Sequence, residues 1–225
     1  MYIIRDVSFG DINIKMSKKE TSLKVHHSLT INEKYHKIKT KQKKGYDVNM
    51  NIWHDINGER INQDDFVAVV EIQKNGRNKY ELDKETGLLK LDRVLYTATH
   101  YPANYGFIPR TYAGDNDPLD VLVLCQEEIV PMTLVECYPI GVLKMIDNDE
   151  EDEKIIAICK NDPYLNTYKD ISQLPNQYME EIMHFFEVYK TLEGKHTSVG
   201  KMYGRAEAED IIQAAIENYK KKFEN

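Results

Sequence analysis

Three aspartates closely spaced in front of an apolar segment are the residues of this sequence best suited to chemistry. Asp115, Asp117 and Asp120 stand at i, i+2 and i+5, directly before Val-Leu-Val-Leu at residues 121–124. A locally extended backbone would point Asp115 and Asp117 to the same side, where Asp120 could join them. Hard cations such as Mg²⁺ prefer oxygen ligands from carboxylates, water and substrate phosphates. The spacing therefore indicates a cation site, with a solvated turn as the alternative because Asp, Asn and Pro favour turns.

The aspartate segment does not follow the pattern of an EF-hand calcium loop. That loop requires glycine at its sixth position and glutamate at its twelfth, whereas counting from Asp115 gives Asp120 and Gln126. Motifs of other enzyme classes are missing as well. The sequence has no Walker-type phosphate loop, no Gly-x-Ser-x-Gly elbow and no His-Glu-x-x-His pair.

Further charged residues stand beside apolar segments. The acidic run at residues 147–153 ends at Lys154, a cation that can bind a phosphate oxygen while neighbouring acids hold metal. Glu71 ends an apolar strand, and Lys79 and Glu81 share one face of the next segment because strand side chains alternate. For each of these taken alone, a solvated hairpin tip or a surface salt bridge is the alternative.

Four other positions place a polar group within a predicted strand, helix or aromatic segment. Arg93 lies between leucines and valine, where a guanidinium can contact phosphate through two nitrogens; a surface salt bridge is the alternative. Tyr189 and Lys190 pair a hydroxyl donor with a cation on a predicted helix. Packing in the core is the first expectation for Tyr189 and also for Tyr105.

Composition and charge restrict the class of protein. The 225 residues are 41% hydrophobic and 30% charged, with a net charge of −7, and no apolar stretch reaches the ~20 residues of a membrane span. Residues 1–46 carry eleven basic and four acidic residues, or +7, so the remainder carries −14. An acidic body disfavours nucleic-acid binding. No secretion signal begins the chain, so we expect a cytoplasmic protein with no membrane partner and with reduced thiols at Cys125, Cys137 and Cys159.

The chain divides into a Lys-rich N-terminal extension at residues 1–45 and a domain at residues 46–225. The extension has the composition of a solvated arm, and organelle targeting or partner binding stays open for it. The domain pattern predicts many short strands followed by two helices, an α+β fold with a small closed or half-closed sheet. Strands are expected at residues 66–72, 79–83, 88–95, 121–125, 140–146 and 154–159, and helices at 178–192 and 206–223. The aromatic segment at residues 101–109 is expected to be a connection between strands.

From about residue 51 onward, the chain resembles the family I soluble inorganic pyrophosphatases. The most specific match is Asp-Asn-Asp-Pro-Leu-Asp-Val at residues 115–121. Other matching segments follow in the family's order and lie at residues 69–72, 79–81, 92–93, 101–106, 141–145 and 184–190. Trp-His-Asp-Ile at residues 53–56 is similar to an element of many eukaryotic members.

This resemblance implies an OB-like five-stranded β-barrel flanked by two C-terminal α-helices. It also implies hydrolysis of pyrophosphate to two orthophosphates by direct attack of a metal-activated water. Several Mg²⁺ ions per active site would be needed, with Mn²⁺ or other divalent cations as possible substitutes. Family members form dimers or hexamers, so a homo-oligomer is expected.

The resemblance assigns a role to each charged or hydroxyl position. Asp117 would be the general base, and Glu81 would support the metal-water network. The metal ligands would be Asp115, Asp120, Asp147 and Asp152, with Glu71 acting through water. Substrate phosphates would be held by Lys79, Arg93, Tyr105, Lys154, Tyr189 and Lys190.

Two positions depart from the family pattern, and two rival functions stay open. Gln73 stands where proline is expected, and Asn148 where glutamate is common. One rival is an enzyme for another phosphoanhydride, such as tripolyphosphate or a nucleotide. The other is a catalytically silent OB-type binding module for nucleic acid or protein.

Overall fold

The computed structural model of the chain describes residues 51–147, 150–195 and 197–224. The predicted extension at residues 1–45, its boundary with the domain and the departure at Asn148 lie outside these ranges. Among the described residues, no helix is long and apolar enough to cross a membrane.

Five strands of the described chain close into a ring. The strands are β1 (Phe66–Ile72), β2 (Asn78–Leu82), β3 (Leu89–Val94), β4 (Asn104–Phe107), β5 (Asp120–Leu124), β6 (Leu134–Asp147), β7 (Glu150–Cys159) and β8 (Thr197–Gly204). Pairing runs in the order β1-β4-β5-β7-β6, and β6 pairs again with β1. β8 adds a sixth strand beside β6, while β2 and β3 form a separate hairpin. The ring agrees with the five-stranded, OB-like core expected from the sequence.

Alternate side chains of the central strands enter two different hydrophobic clusters. Leu122 and Ile156 belong to the cluster that includes the buried face of helix α1 (Asn176–Val188). Val121 and Ile155 belong to the cluster that includes the buried face of helix α2 (Arg205–Phe223). Successive strand residues point to opposite faces, so β5 and β7 are buried on both sides. This explains why residues 121–124 of β5 and residues 155–159 of β7 appear in the sequence as continuous apolar runs.

The register of β5 and β7 sets two charged residues side by side. These strands are parallel, and Asp120 at the start of β5 is the register partner of Lys154 on β7. On the hairpin, Lys79 of β2 is the register partner of Arg93 of β3. Strand pairing therefore brings together residues that lie 34 and 14 positions apart in the sequence.

Every strand and helix predicted from the sequence is confirmed, but two strands were missed. β4 lies inside the aromatic segment that was expected to be a connection, and β8 follows α1 where no strand was expected. β4 has only four residues and contains Gly106, at which a Cβ atom would lie 1.8 Å from the Val69 carbonyl oxygen. Glycine is therefore required for β4 to approach β1, although its presence weakens the strand signal.

The reduced state of the three cysteines stays a prediction. All three thiols are free, with Cys137 buried and Cys125 and Cys159 partly exposed.

Candidate active site

A cavity of about 240 Å³ collects most of the predicted site residues. It is bordered by the β2–β3 hairpin, the loop before β5, the ends of β6 and α1, and parts of β1, β4 and β7. Twelve of the thirteen predicted residues line it, namely Glu71, Lys79, Glu81, Tyr105, Asp115, Asp117, Asp120, Asp147, Asp152, Lys154, Tyr189 and Lys190. Arg93 is the exception, although its register partner Lys79 lines the cavity.

A turn, rather than an extended segment, brings Asp115 and Asp117 to the cavity. Asn116 between them adopts φ 69°, a left-handed conformation that asparagine tolerates better than most residues. Its Oδ1 accepts a 2.5 Å hydrogen bond from the Tyr112 hydroxyl, and the Asp117 N–H donates to Asp115 Oδ1 over 3.0 Å. Of the two conformations that the sequence left open, the structure has the turn, which is closed by a 2.8 Å hydrogen bond from the Ala113 N–H to the Asp117 carbonyl. Both carboxylates nevertheless line the same cavity.

Lys154 is a buried cation shared by two carboxylates. Its ammonium contacts Asp120 and lies 2.7 Å from Asp152 Oδ1. The Tyr105 hydroxyl donates to the same Asp120 carboxylate over 2.5 Å. Burial lowers the pKa of Lys154, but the two carboxylates outweigh burial and raise this pKa above its ordinary value. Lys154 is therefore a permanent positive charge in the cavity.

Two acids of the cavity hold their protons more tightly than ordinary carboxyl groups. Burial, reinforced by the charge of Asp120, raises the pKa of Glu71 to about 8, although the Leu82 N–H donates to this carboxylate over 2.7 Å. Desolvation also raises the pKa of Asp115 to about 6, with further contributions from Asp120 and Asp117. In both cases burial is the main cause and the charges of neighbouring acids add to it, so a cation bound nearby would favour the ionised forms.

The hairpin presents two cations next to the cavity. Arg93 donates from Nε to Glu193 Oε1 over 2.8 Å and from Nη1 to Asp92. Its Nη2 is buried without a hydrogen-bond partner within the described residues. Lys79 contacts Glu81 and lies 3.4 Å from Asp92. Arg93 is thus fixed by carboxylates at two nitrogens and keeps one unused donor.

The end of α1 supplies a hydroxyl and a cation. Tyr189 is buried, and this burial raises the pKa of its hydroxyl above the ordinary value, so the group stays protonated and can donate. Lys190 contacts Asp147. The other carboxylate oxygen of Asp147, Oδ1, is buried and has no hydrogen-bond partner in the described part of the chain.

The chemistry of the donor set fits a hard cation. Asp115, Asp120, Asp147 and Asp152 offer the oxygen ligands that Mg²⁺ prefers, and Asp147 Oδ1 is an orphaned acceptor. Burial raises the pKa of Asp152 even though Lys154 opposes that shift. Across residues 51–147, 150–195 and 197–224, no three His, Cys, Asp or Glu side chains form a preformed metal cage. Three of these four carboxylates, those of Asp120, Asp147 and Asp152, instead contact lysines.

Two residues near the cavity were not identified from the sequence. Lys84, in the loop between β2 and β3, contacts Asp117. Glu193 anchors Arg93 from a distance of 100 residues along the chain. No local pattern marks Glu193, and the only available signal for Lys84 was its place in a turn shortly after Lys79 and Glu81.

The barrel and this cavity define a class of enzyme, one that combines carboxylates and fixed cations to act on phosphate compounds. Comparisons with known proteins narrow that class. A family model described as inorganic pyrophosphatase matches residues 68–220. A soluble inorganic pyrophosphatase of Zea mays is 48% identical over 170 residues, which cover 74% of this chain and 78% of that protein.

Solved structures agree with the sequence comparisons. The crystal structure of inorganic pyrophosphatase from Thermus thermophilus is 38% identical with a TM-score of 0.70, covering 76% of this chain and 99% of that chain. The inorganic pyrophosphatase from Helicobacter pylori is 42% identical with a TM-score of 0.69, covering 71% and 95%.

The chain therefore belongs to the family I soluble inorganic pyrophosphatases, as its motifs predicted. It is an inorganic diphosphatase, an enzyme that hydrolyses the phosphoanhydride of pyrophosphate. The departure at Gln73 does not line the cavity, and its amide donates to Glu128 over 3.0 Å.

Proposed function

We propose that this enzyme hydrolyses pyrophosphate to two orthophosphates by direct attack of water, in a reaction that requires Mg²⁺ and uses Asp117 as the general base. The observation that carries the proposal is the cavity, in which Asp117 lies among further aspartates and among the cations Lys79, Lys154 and Lys190. Acids alone would repel a densely anionic substrate. A cavity with both signs of charge suits a substrate that enters together with cations.

Asp115, Asp120, Asp147 and Asp152 are the residues that would hold the ions. Glu71 would act through water, and Glu81 would support the surrounding water network. When bound, Mg²⁺ lowers the pKa of a coordinated water and neutralises phosphate charge, and Mn²⁺ or another divalent cation is a candidate substitute. The lysine contacts of Asp120, Asp147 and Asp152 keep these acids partly neutralised before cations enter.

Asp117 would accept the proton of the attacking water. Its side chain lines the cavity and is 51% exposed, so water can reach it. A general base must lie within hydrogen-bond reach of the proton that it removes. The turn at Asn116 supports this role because it fixes Asp117 beside Asp115 through a backbone hydrogen bond.

Six donors would hold the two phosphates and stabilise the charge that moves to the leaving group. Four of them are cationic and two are hydroxyls, namely Lys79, Arg93, Lys154, Lys190, Tyr105 and Tyr189. The unused Nη2 of Arg93 and the protonated hydroxyl of Tyr189 support this assignment. Donors that are fixed before the reaction need no reorganisation during it, which favours the transition state.

The reaction and its metal requirement are tested by phosphate release from pyrophosphate with Mg²⁺, with EDTA, and with tripolyphosphate or ATP as substrate. We expect fast release only from pyrophosphate with Mg²⁺. Equal rates with tripolyphosphate or ATP would contradict the assigned specificity. Full activity in EDTA would contradict the metal requirement.

Direct attack is tested by one turnover in ¹⁸O-labelled water with enzyme in excess over pyrophosphate. Attack by water predicts one ¹⁸O atom in one of the two phosphates. A first turnover without label would instead show that a protein carboxylate attacks and that the acyl phosphate then breaks at its C–O bond. Carboxylate attack followed by breakage of the P–O bond would also label phosphate, and a phosphorylated enzyme trapped by acid during the turnover would reveal it.

We further propose that the enzyme is a homo-oligomer, a dimer or a hexamer, that works in the cytoplasm without a nucleic-acid or membrane partner. Light scattering tests the first part, since one chain has a mass of 26.3 kDa. A mass of one chain at micromolar concentration would contradict self-association.

A further inference from the structure

Lys84 is a cation of the cavity that has no role in the mechanism proposed above. It belongs to the loop between β2 and β3, lines the cavity, and contacts Asp117 through its ammonium. Its side chain is 47% exposed, compared with 5% for Lys154 and 8% for Lys190. Burial therefore fixes Lys154 and Lys190, whereas the ammonium of Lys84 can change its partner.

The aromatic ring of Trp53 forms the other side of the Lys84 site. The Lys84 ammonium lies 5.3 Å from the ring centroid, within the range of a cation–π attraction. Trp53 itself is 5% exposed, and its Nε1 donates to the Thr111 carbonyl over 2.9 Å. The ring is thus a fixed platform that keeps Lys84 next to Asp117.

The backbone around Lys84 is held by hydrogen bonds within its own loop. The Gly87 N–H donates to the Asp83 carbonyl over 2.8 Å, and the Asp83 N–H donates to the Leu88 carbonyl over 2.8 Å. The Thr86 hydroxyl donates to the Asp83 carboxylate over 2.5 Å. A fixed backbone with an exposed side chain lets the ammonium move while its Cα atom stays in place.

We propose that Lys84 is a further substrate-binding residue. Its ammonium pairs with the carboxylate of Asp117 before substrate arrives and then moves to a phosphate oxygen of pyrophosphate. This inference rests on the proposed function of the cavity. The ammonium on Asp117 Oδ1 makes this carboxylate a weaker acceptor for the proton of water. The incoming dianionic phosphates are stronger partners for the ammonium than one carboxylate.

Removal of this charge should change the affinity for anions and for cations in opposite directions. In Lys84→Ala, we expect the KM for pyrophosphate to rise about ten-fold, because a charge-assisted hydrogen bond to phosphate is lost. The Mg²⁺ concentration for half-maximal activity should fall about three-fold, because a positive charge no longer repels the ion. Lys84→Arg keeps the charge and should remain within about two-fold of the wild type in both measurements.

Lys90→Ala is the matched control, because Lys90 is an exposed lysine of the same hairpin that does not line the cavity. It should leave both constants unchanged. If Lys84→Ala raises the KM and also raises the Mg²⁺ requirement, Lys84 merely maintains the loop and the inference is wrong. The inference is also wrong if Lys84→Ala behaves like Lys90→Ala.

Trp53 offers a second measurement that needs no turnover, because it is the chain's single tryptophan. A cation that leaves an indole ring changes the emission of that ring. We expect Mg²⁺ with imidodiphosphate, a slowly hydrolysed analogue, to shift the emission of the wild type and of Lys90→Ala but not of Lys84→Ala. The same shift in Lys84→Ala, or no shift in the wild type, would overturn the inference. Failure of the proposed function would appear separately, as wild-type protein that releases no phosphate with Mg²⁺.

Discussion

At the residue scale, the cavity contains two buried ionisable groups whose neighbours differ in their effect. Lys154 is buried between two carboxylates that raise its pKa, whereas Glu71 is buried beside an acid, which raises the pKa of its carboxyl to about 8. The neighbouring carboxylates stabilise the positive charge of Lys154, whereas burial and the neighbouring acid destabilise a negative charge on Glu71. The stability of the metal-free protein should therefore depend on Glu71.

Glu71→Gln should reveal this dependence between pH 5 and pH 9. The folded protein keeps the Glu71 proton up to a pKa of about 8, against about 4.5 for an ordinary glutamate. The contribution of protonated Glu71 to the free energy of unfolding is fully present below pH 4.5 and is lost as the pH rises from there towards 8. Relative to Glu71→Gln, the free energy of unfolding of the wild type should fall by a few kcal/mol, on the order set by that pKa difference.

Urea unfolding in EDTA measures this difference, with Glu187→Gln as the control because Glu187 is exposed on α1. A constant difference between wild type and Glu71→Gln across the pH range would contradict the shifted pKa.

Most residues around the cavity could be predicted because their motifs are local and specific. Asp115, Asp117 and Asp120 fall within six residues, and most of the other predicted positions lie in short segments that match the family, whereas Asp147, Asp152 and Lys154 lie in or directly after one acidic run. The contacts of Lys84 with Asp117 and of Glu193 with Arg93 could not be predicted in this way. They depend on the tertiary placement of a hairpin and of the segment after α1, which no local pattern encodes.

At the element scale, the barrel depends on close contact between strands that carry site residues. Tyr105 on β4 reaches Asp120 on the neighbouring strand β5. Gly106 follows Tyr105, and the missing side chain lets β4 lie against the Val69 carbonyl of β1. A short strand with a central glycine has little strand propensity, so β4 was expected to be a connection. The β-branched residues of β1 and the apolar second half of β7 were predictable from composition alone, whereas the acidic first half of β7 was not predicted to be a strand.

Gly106→Ala should destabilise the protein by about 3 kcal/mol or more, because the new Cβ atom meets backbone that cannot move aside cheaply. Gly114→Ala is the matched control, since nothing lies within 4 Å of a Cβ atom there. Thermal unfolding compares the two variants. Equal melting temperatures would contradict the close packing of β4 on β1.

At the scale of the whole molecule, the charges divide the chain into two parts. Residues 1–46 carry +7 and the remainder carries −14. Within the part of the chain that the structure describes, the residues that line the cavity all follow position 70 in the sequence. The catalytic machinery that we propose is thus encoded after the Lys-rich extension.

Deletion of residues 1–45 should therefore leave kcat/KM for pyrophosphate within about two-fold of the full chain. Steady-state phosphate release by the truncated and the full chain, at equal active-site concentration, measures this ratio. A loss of more than ten-fold, from truncated protein with the circular dichroism spectrum of the full chain, would assign the extension a role in catalysis.

The most direct test of the central claim is phosphate release by Asp117→Asn at saturating pyrophosphate and Mg²⁺. The variant keeps the size of the side chain and removes the base, so we expect kcat to fall by about 10²–10⁴-fold. Asp64→Asn, which changes an exposed aspartate outside the cavity, should keep the wild-type rate. A folded Asp117→Asn variant that retains more than a tenth of the wild-type kcat would contradict the assignment of Asp117 as the general base.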